Sequence, residues 1–380
     1  YMPLWHDKRW KNMEKTQRDS KFEILRIICM LMIVAHHLSC HGGYIFDSIS
    51  AVNRGFIDAL IVGGKIGVNV FVLISGYFLC CSKFKLSKLI KLLCEIFFYS
   101  FFIYIIFVAA GQVQFSVKDF FYSMFPTSSN AYWFMTCYVI MYILSPFINK
   151  MINSLTKKEH LLLIGFLLLL QTLFPVVGFS YLSNVAWFIT LYIIAGYLRL
   201  HPSKYTETKW ISIVLFCVSF VAIITFNVFL KISRWGAAGI VCLICSIAMF
   251  NMFKNIKKPI HSSFINIISS ATLGVYLVHD NNYIRPWLWQ TFLKCPQMAE
   301  QWFYPLFALG AILGVFAVCV LIDLFRIYVI EKPFFKVSNK IVFKIKTKIA
   351  NKKRIVEETN MFDAENKADD APQNNSSNED

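Results

Sequence analysis

Ten apolar stretches, most of them as long as a bilayer-crossing helix, take up the greater part of this chain. They run over approximately 22–39, 60–81, 89–110, 132–150, 159–176, 185–200, 210–230, 235–253, 264–280 and 303–330, the sixth being short. A helix crosses the hydrocarbon core with roughly 17 to 25 predominantly apolar residues. Hydrophobic residues make up 57% of the 380 positions and charged residues 16%, which excludes an ordinary soluble domain. The expected fold is all-α, a polytopic membrane helix bundle with about ten transmembrane helices.

Lysine and arginine in the connecting segments set the expected orientation. One set of segments holds Lys8, Arg9, Lys11, Lys15, Arg18 and Lys21, then Lys83, Lys85, Lys88 and Lys91, then Lys150, Lys157 and Lys158. The same set continues with Arg199, Lys204, Lys209, Lys254, Lys257 and Lys258, and ends in a basic run from Lys332 to Arg354. The opposite set holds only Arg54, Lys65, Lys118, Lys231, Arg234, Arg285 and Lys294. The rich set is expected in the cytoplasm, with both termini. The formal net charge of +16 is then a topology signal, and no nucleic-acid partner is needed to explain it. Three regions are expected: a basic cytoplasmic N-terminus at 1–21, a transmembrane domain at 22–337 and a tail at 338–380. The tail is basic and then acidic, too poor in apolar residues to offset the entropy of folding, and is expected to be disordered in the cytoplasm.

Two ionisable residues stand inside the first apolar run, FEILRIICMLMIVAHHLS. Arg26 at a helix centre would cost about 2.5 to 3.5 kcal/mol on insertion scales, so such groups normally face a protein interior or a watery cavity. Arg26 and His37 are eleven positions apart, about three turns plus 20°, which puts them on one helix face about 16 Å apart along the axis. The pattern reads as one wall of a pore, with a fixed cation toward the cytoplasm and an imidazole deep or high. The plainer readings are an Arg26 snorkelling to lipid phosphates and a His37 packed and hydrogen-bonded in the core.

Other residues carry weaker signals. His36 points about 100° away from His37 and reads as structural or interfacial. His41, four positions after His37, has a spacing compatible with metal binding, but nothing near it in sequence completes a site, so no metal is expected. Ser75 beside Gly76 reads as helix packing or pore lining. Glu95 and Asp323 fall inside apolar runs and are expected to pair with cations or face the pore. The eleven cysteines have no framework spacing. No Walker motif, dinucleotide fingerprint or H-E-x-x-H is present, which removes support for an ATP-driven pump or a metalloprotease.

An ordered series of short signatures is more specific. Arg26 and His37 lie within LRIICMLMIVAHH, followed by GVNVFVLISGYFL at Gly67 to Leu79 and YWFMTCYVIMYILSPFI at Tyr132 to Ile148. YLVH then closes the ninth run at Tyr276 to His279, and EKPFF follows the tenth at Glu331 to Phe335. In this order the chain, from about Lys21 to Val337, resembles the acyltransferase-3 family of integral membrane acyltransferases, whose bacterial members mostly O-acetylate surface carbohydrates. One departure is Lys88-x-x-Lys91, where the family often has two arginines; lysine keeps the charge and loses the bidentate fork.

The resemblance implies a membrane O-acyltransferase of a bacterial plasma membrane. It would move an acyl group, acetyl by preference, from cytoplasmic acyl-CoA to a hydroxyl of a cell-surface or lipid-linked glycan. His37 is then the expected general base, since imidazole with an ordinary pKa near 6.5 suits that task. Arg26, Lys88 and Lys91 are expected on the donor phosphates, and Ser75, Trp133 and His279 along the pore or at the acceptor. Acyl-CoA enters as a co-substrate and no cofactor is expected to stay bound. The alternative is a transporter with Arg26 and His37 in a proton or substrate path; neither inverted repeats nor helices interrupted by Gly or Pro in matching halves are read in its favour.

Overall fold

The computed structural model describes residues 19–127, 129, 131–176, 184–229, 237–338 and 347. Helices cover the apolar runs: α1 (Lys21–His41), α2 (Ala51–Leu79), α3 (Leu86–Ala109), a short α4 (Val117–Met124), α5 (Trp133–Ser154), α6 (Lys157–Val176) and α7 (Asn184–Leu200). They continue with α8 (Lys204–Glu207), α9 (Lys209–Ile224), α10 (Ala237–Lys254), α11 (Ser263–Ser270), α12 (Thr272–His279), the turns α13 (Ile284–Pro286) and α14 (Cys295–Met298), and α15 (Tyr304–Phe325). Among the described residues there is no strand, and six helices are long and apolar enough to cross a membrane, with shorter apolar helices at Asn184–Leu200, Gly239–Lys254 and Ser263–His279. The protein is an all-α membrane helix bundle. The basic N-terminus and nearly all of the tail lie outside the described residues.

The chain divides into two compact units, Tyr1–Leu321 and Ile322–Asp380. In the first, α1 packs mainly along α2, and α2 turns its other faces to α7 and α10. Lipid tails are as apolar as leucine, so helices in a membrane associate through close packing and buried hydrogen bonds instead of water exclusion. Gly67 supplies the first: a Cβ there would sit 2.8 Å from the Cys29 carbonyl oxygen, so α1 and α2 can meet at this depth only without a side chain. Gly76 does the same for α2 against α7, with the Ala195 Cβ 2.9 Å from where its own would be. The Ser-Gly pair thus splits its roles, Gly76 packing and Ser75 facing a cavity.

Two side-chain amides supply the hydrogen bonds. Wholly buried Asn69 of α2 accepts from the Trp187 indole of α7 at 2.9 Å and donates to Ser246 of α10 at 3.2 Å. Asn149 of α5 donates to the Leu79 carbonyl at 2.9 Å and accepts from Tyr192 of α7 at 2.8 Å. Pro146 stands inside α5 and has no N–H for the Tyr142 carbonyl; the Ser145 hydroxyl donates to that oxygen instead, at 2.7 Å.

Two features depart from the sequence reading. Lys65, counted above with the outer lysines and arginines although it falls within the run at 60–81, lies in the middle of the 29-residue α2, which begins nine residues before that run. The ninth run, helical over Ser263–His279, is interrupted for one residue, Ala271, between α11 and α12, with neither Gly nor Pro there. Thr272 closes the break by donating to the Ser269 carbonyl at 2.8 Å.

The second unit holds a local ion network. Arg326 bonds Asp323 at 2.7 Å and Glu331 at 2.6 Å, and the segment Arg326–Glu331 is a π-helix, whose wider turn brings residues five apart into register. Asp323 and Glu331, whose partners were open from sequence, therefore share one arginine.

Candidate active site

One stripe of α1 builds the site. Glu23, Arg26, Met30, Ile33 and His37 succeed one another at alternating three- and four-residue steps, the repeat of a single helix face, and all five line one cavity of about 350 Å³. The phase relation between Arg26 and His37 expected from spacing is therefore present. The other walls of this inner cavity come from Phe71 and Ser75 of α2, Leu92 and Glu95 of α3, Tyr138 of α5 and the broken ends of α11 and α12. Ser75 accepts from the Tyr138 hydroxyl at 3.3 Å.

Arg26 is not a bare cation. Its guanidinium lies 2.7 Å from both carboxylate oxygens of Glu23, which also accepts from Ser269 of α11 at 2.5 Å. Glu23 is a residue the sequence reading did not single out; its signal was its place one turn before Arg26 on the same stripe. Lys88 and Lys91 are not gathered with Arg26: both are exposed near the start of α3, and Leu92 and Glu95 are what this helix sends to the cavity. A separate recess of about 500 Å³ at the Lys21 end of α1 is lined by Lys21, Arg26, Arg199 and Lys254 together with Asp19 and Glu23. Arg199 is fixed there by a hydrogen bond to Tyr77 at 3.0 Å.

His37 closes the far end of the inner cavity and also lines a second one, of about 360 Å³, which extends toward the His41 end of α1. Ile33, Val68 and Trp133 are the other residues common to both. This outer cavity is bordered by His36, Lys65, Asn184, Trp187, Phe188 and Asn227. His36 is held by the Ile61 carbonyl at 2.7 Å, in keeping with a structural role, and still faces this space.

The protonation of His37 can be traced through its neighbours. His279, wholly buried at the end of α12, directs Nδ1 at the Val275 carbonyl. A carbonyl only accepts, so His279 Nδ1 carries the proton and, in the neutral ring, Nε2 is an acceptor. That acceptor is 2.9 Å from His37 Nδ1, which assigns the His37 proton to Nδ1 and leaves the lone pair on Nε2. Asp280 Oδ1 lies 3.6 Å from His37 Nδ1 and pairs with Arg285 at 2.9 Å. The end of α12 is tied to the start of α5, because Tyr132 donates to the Leu277 carbonyl at 2.9 Å and accepts from Asn281 at 2.7 Å. Trp133, the first residue of α5, thereby stays at the junction of the two cavities that His37 also lines.

His37, His41 and Asp280 bring donor atoms within 4.8 Å of one another, so α12 completes the three-residue set that sequence neighbours lacked. Two of its donors are already committed: His37 Nδ1 bears a proton shared with His279, and the Asp280 oxygen faces Arg285. All eleven cysteines are free thiols, including Cys242 and Cys245.

No curated protein and no solved structure matches the chain. Residues 19–324 match the sequence model of an acyltransferase domain, and this stretch holds both cavities and the histidine pair. On that match, over far more than half its length, the chain belongs to the acyltransferase-3 family of membrane acyltransferases.

Proposed function

We propose that this membrane acyltransferase moves an acyl group, acetyl by preference, from cytoplasmic acyl-CoA to a hydroxyl of a cell-surface or lipid-linked glycan, with His37 as general base. The observation that carries the reading is that His37 lies at the junction of two cavities of similar size, one reaching toward each end of α1. The Lys21 end adjoins the lysine-rich segments and is the cytoplasmic side by the positive-inside rule. In a bacterial plasma membrane that is where acyl-CoA is found. Its phosphates would meet Lys21, Arg199 and Lys254 in the recess at that end, while the uncharged thioester arm runs past the Glu23–Arg26 pair to His37.

The acceptor hydroxyl would come through the outer cavity. His37 Nε2 takes its proton as the oxygen attacks the thioester carbonyl; the tetrahedral intermediate then expels the thiolate, which takes the proton back from the imidazolium. Asp280, 3.6 Å from His37 Nδ1, stabilises the passing positive charge, and His279 holds the tautomer. No acyl group has to leave the membrane domain, and CoA itself stays inside.

The test is transfer from radiolabelled acetyl-CoA to endogenous glycan in membranes carrying wild type or His37→Ala. A fall of about 10²- to 10⁴-fold at equal membrane levels, the usual contribution of a general acid–base group, is the expected result. Equal labelling by both proteins removes His37 from the chemistry. The helix break at Ala271 beside the inner cavity is also a transporter device, and absence of labelling by wild type would favour that reading.

A further inference from the structure

His41 follows His37 by one turn of α1, and Asp280 reaches both from the end of α12. A single oxygen, Asp280 Oδ1, is 3.6 Å from His37 Nδ1 and 3.9 Å from His41 Nε2, and the three donor atoms lie within 4.8 Å of one another. Zinc bound tetrahedrally by nitrogen and oxygen at about 2.1 Å holds its ligands about 3.4 Å apart, so modest side-chain rotations close this set on a metal. Two imidazoles and one carboxylate are a donor set of open zinc sites, and imidazole favours zinc and its transition-metal neighbours over magnesium or calcium. His37 and Asp280 are buried, whereas 30% of the His41 side chain is exposed. A cation therefore enters past His41, from the side that the positive-inside rule places outside.

Two groups compete with a metal here. The first is the His37 proton at Nδ1, which points at His279 Nε2 across 2.9 Å. A metal on Nδ1 sends that proton to Nε2, since a neutral imidazole carries its one proton on one nitrogen or the other. His279 Nε2 then loses its donor and accepts from a metal-bound water instead. The second competitor is Arg285, whose Nη2 lies 2.9 Å from Asp280 Oδ1. The same Nη2 donates to the Asp280 backbone carbonyl at 2.9 Å. The guanidinium thus keeps an acceptor when the carboxylate turns to the metal, while its charge lowers the affinity of the site for any cation.

We propose that His37, His41 and Asp280 form an outward-facing inhibitory site for Zn²⁺. With the metal on Nδ1, His37 presents an N–H instead of a lone pair at Nε2, and no base remains for the acceptor hydroxyl. The inhibition rests on the acyl-transfer reading; the metal site does not, and the test separates the two.

The full chain in lipid nanodiscs is dialysed to equilibrium against radioactive zinc chloride. Wild type is expected to take up a single saturable equivalent that excess magnesium chloride does not displace. His41→Asn should weaken uptake at least about tenfold, the lower end of what losing even a residue that supports a metal ligand costs. His41→Cys should restore it with a thiolate donor, which guards against a variant that merely misfolds. Arg285→Gln should tighten it, because the competing cation is gone. Absence of saturable uptake, or uptake that either His41→Asn or Arg285→Gln leaves unchanged, overturns the site. Transfer from radiolabelled acetyl-CoA to endogenous glycan reads the consequence: zinc should stop transfer by wild type and spare transfer by His41→Asn. Transfer that continues with zinc bound overturns the inhibition. Zinc held through His41 by a protein that labels nothing even after chelation leaves the metal site standing and defeats the acyl-transfer reading.

Discussion

The two cavities that meet at His37 have almost the same volume, about 350 and 360 Å³, and differently built polar linings. In the inner one the cation is answered on the spot, Arg26 by Glu23, with Glu95 contributing a second carboxylate and Ser75, Ser269 and Ser270 contributing hydroxyls. In the outer one Lys65 lies 5.0 Å from the centroid of the Trp187 ring, and His36, Asn184 and Asn227 supply the other polar groups. A compensated wall suits a long uncharged arm, which needs passage and no strong anchor. The difference teaches that a charged residue in a span is not a single kind of signal: Arg26 is held by a carboxylate one turn away on its own helix, whereas Lys65 is set over an aromatic ring that a second helix presents.

The sharpest way to break this contrast is to strip compensation from the inner cavity. Glu23→Ala leaves the Arg26 guanidinium, with only 23% of its side chain exposed, without its carboxylate and takes the acceptor from Ser269. Breaking a buried pair costs about 3–5 kcal/mol, and with this partial exposure a loss near about 3 kcal/mol is expected in thermal unfolding of the nanodisc-held protein. Adding Arg26→Met should return much of that stability while acyl transfer stays low. Full stability of the single variant would mean that Arg26 finds its counter-charge elsewhere, and the inner cavity would cease to be a compensated one.

A smaller effect is expected at the junction. His279→Phe keeps an aromatic ring of similar girth and removes the acceptor for His37 Nδ1–H. His37 is then free to present either nitrogen, and kcat should fall by about ten- to a hundredfold, the worth of one hydrogen bond to a group that becomes charged. KM values for both substrates should hold, because neither cavity wall is moved. A change in KM with kcat intact would make His279 a packing residue and leave the tautomer of His37 to Asp280.

Much of this was legible in the sequence, for physical reasons. Bilayer length and the 3.6 repeat place α1 and put Arg26 and His37 on one stripe, because both facts are local to a single helix. The tautomer relay was not, since His279 reaches His37 across 242 positions and only packing brings α12 against α1. Glu23 was overlooked although it sits one turn from Arg26, because an acidic residue at the start of a helix also satisfies the macrodipole and so calls for no other explanation. Lys65 falls inside the run at 60–81 yet was counted with the outer lysines and arginines, because it is only five positions from that run's start; α2 in fact begins at Ala51, since polar Asn53, Arg54 and Asp58 on its first turns hide a helical segment that hydropathy alone does not see. The cationic recess was hidden for a similar reason. Lys88 and Lys91 carry the charge that the family pattern asks for, but the recess at the Lys21 end is assembled from Arg199 and Lys254, which lie far from α1 in sequence.

The smallest predicted effect bears on the outer cavity alone. Trp187→Phe keeps an aromatic face near Lys65 and deletes the indole N–H that Asn69 accepts. Asn69 is wholly buried, so its carbonyl oxygen loses a partner that no water replaces, a cost of about 1 kcal/mol, near the ordinary net worth of one hydrogen bond. The ring is then free to tilt, and acceptor KM should rise a few-fold while KM for acyl-CoA is untouched, because Trp187 lines only the outer space. Steady-state kinetics with each substrate varied in turn separates the two. If both KM values moved together, the cavities would be coupled through α2, where Asn69 lies between Val68 at the junction and the α10 contact, and the division of the site into two independent halves would have to give way to one continuous channel.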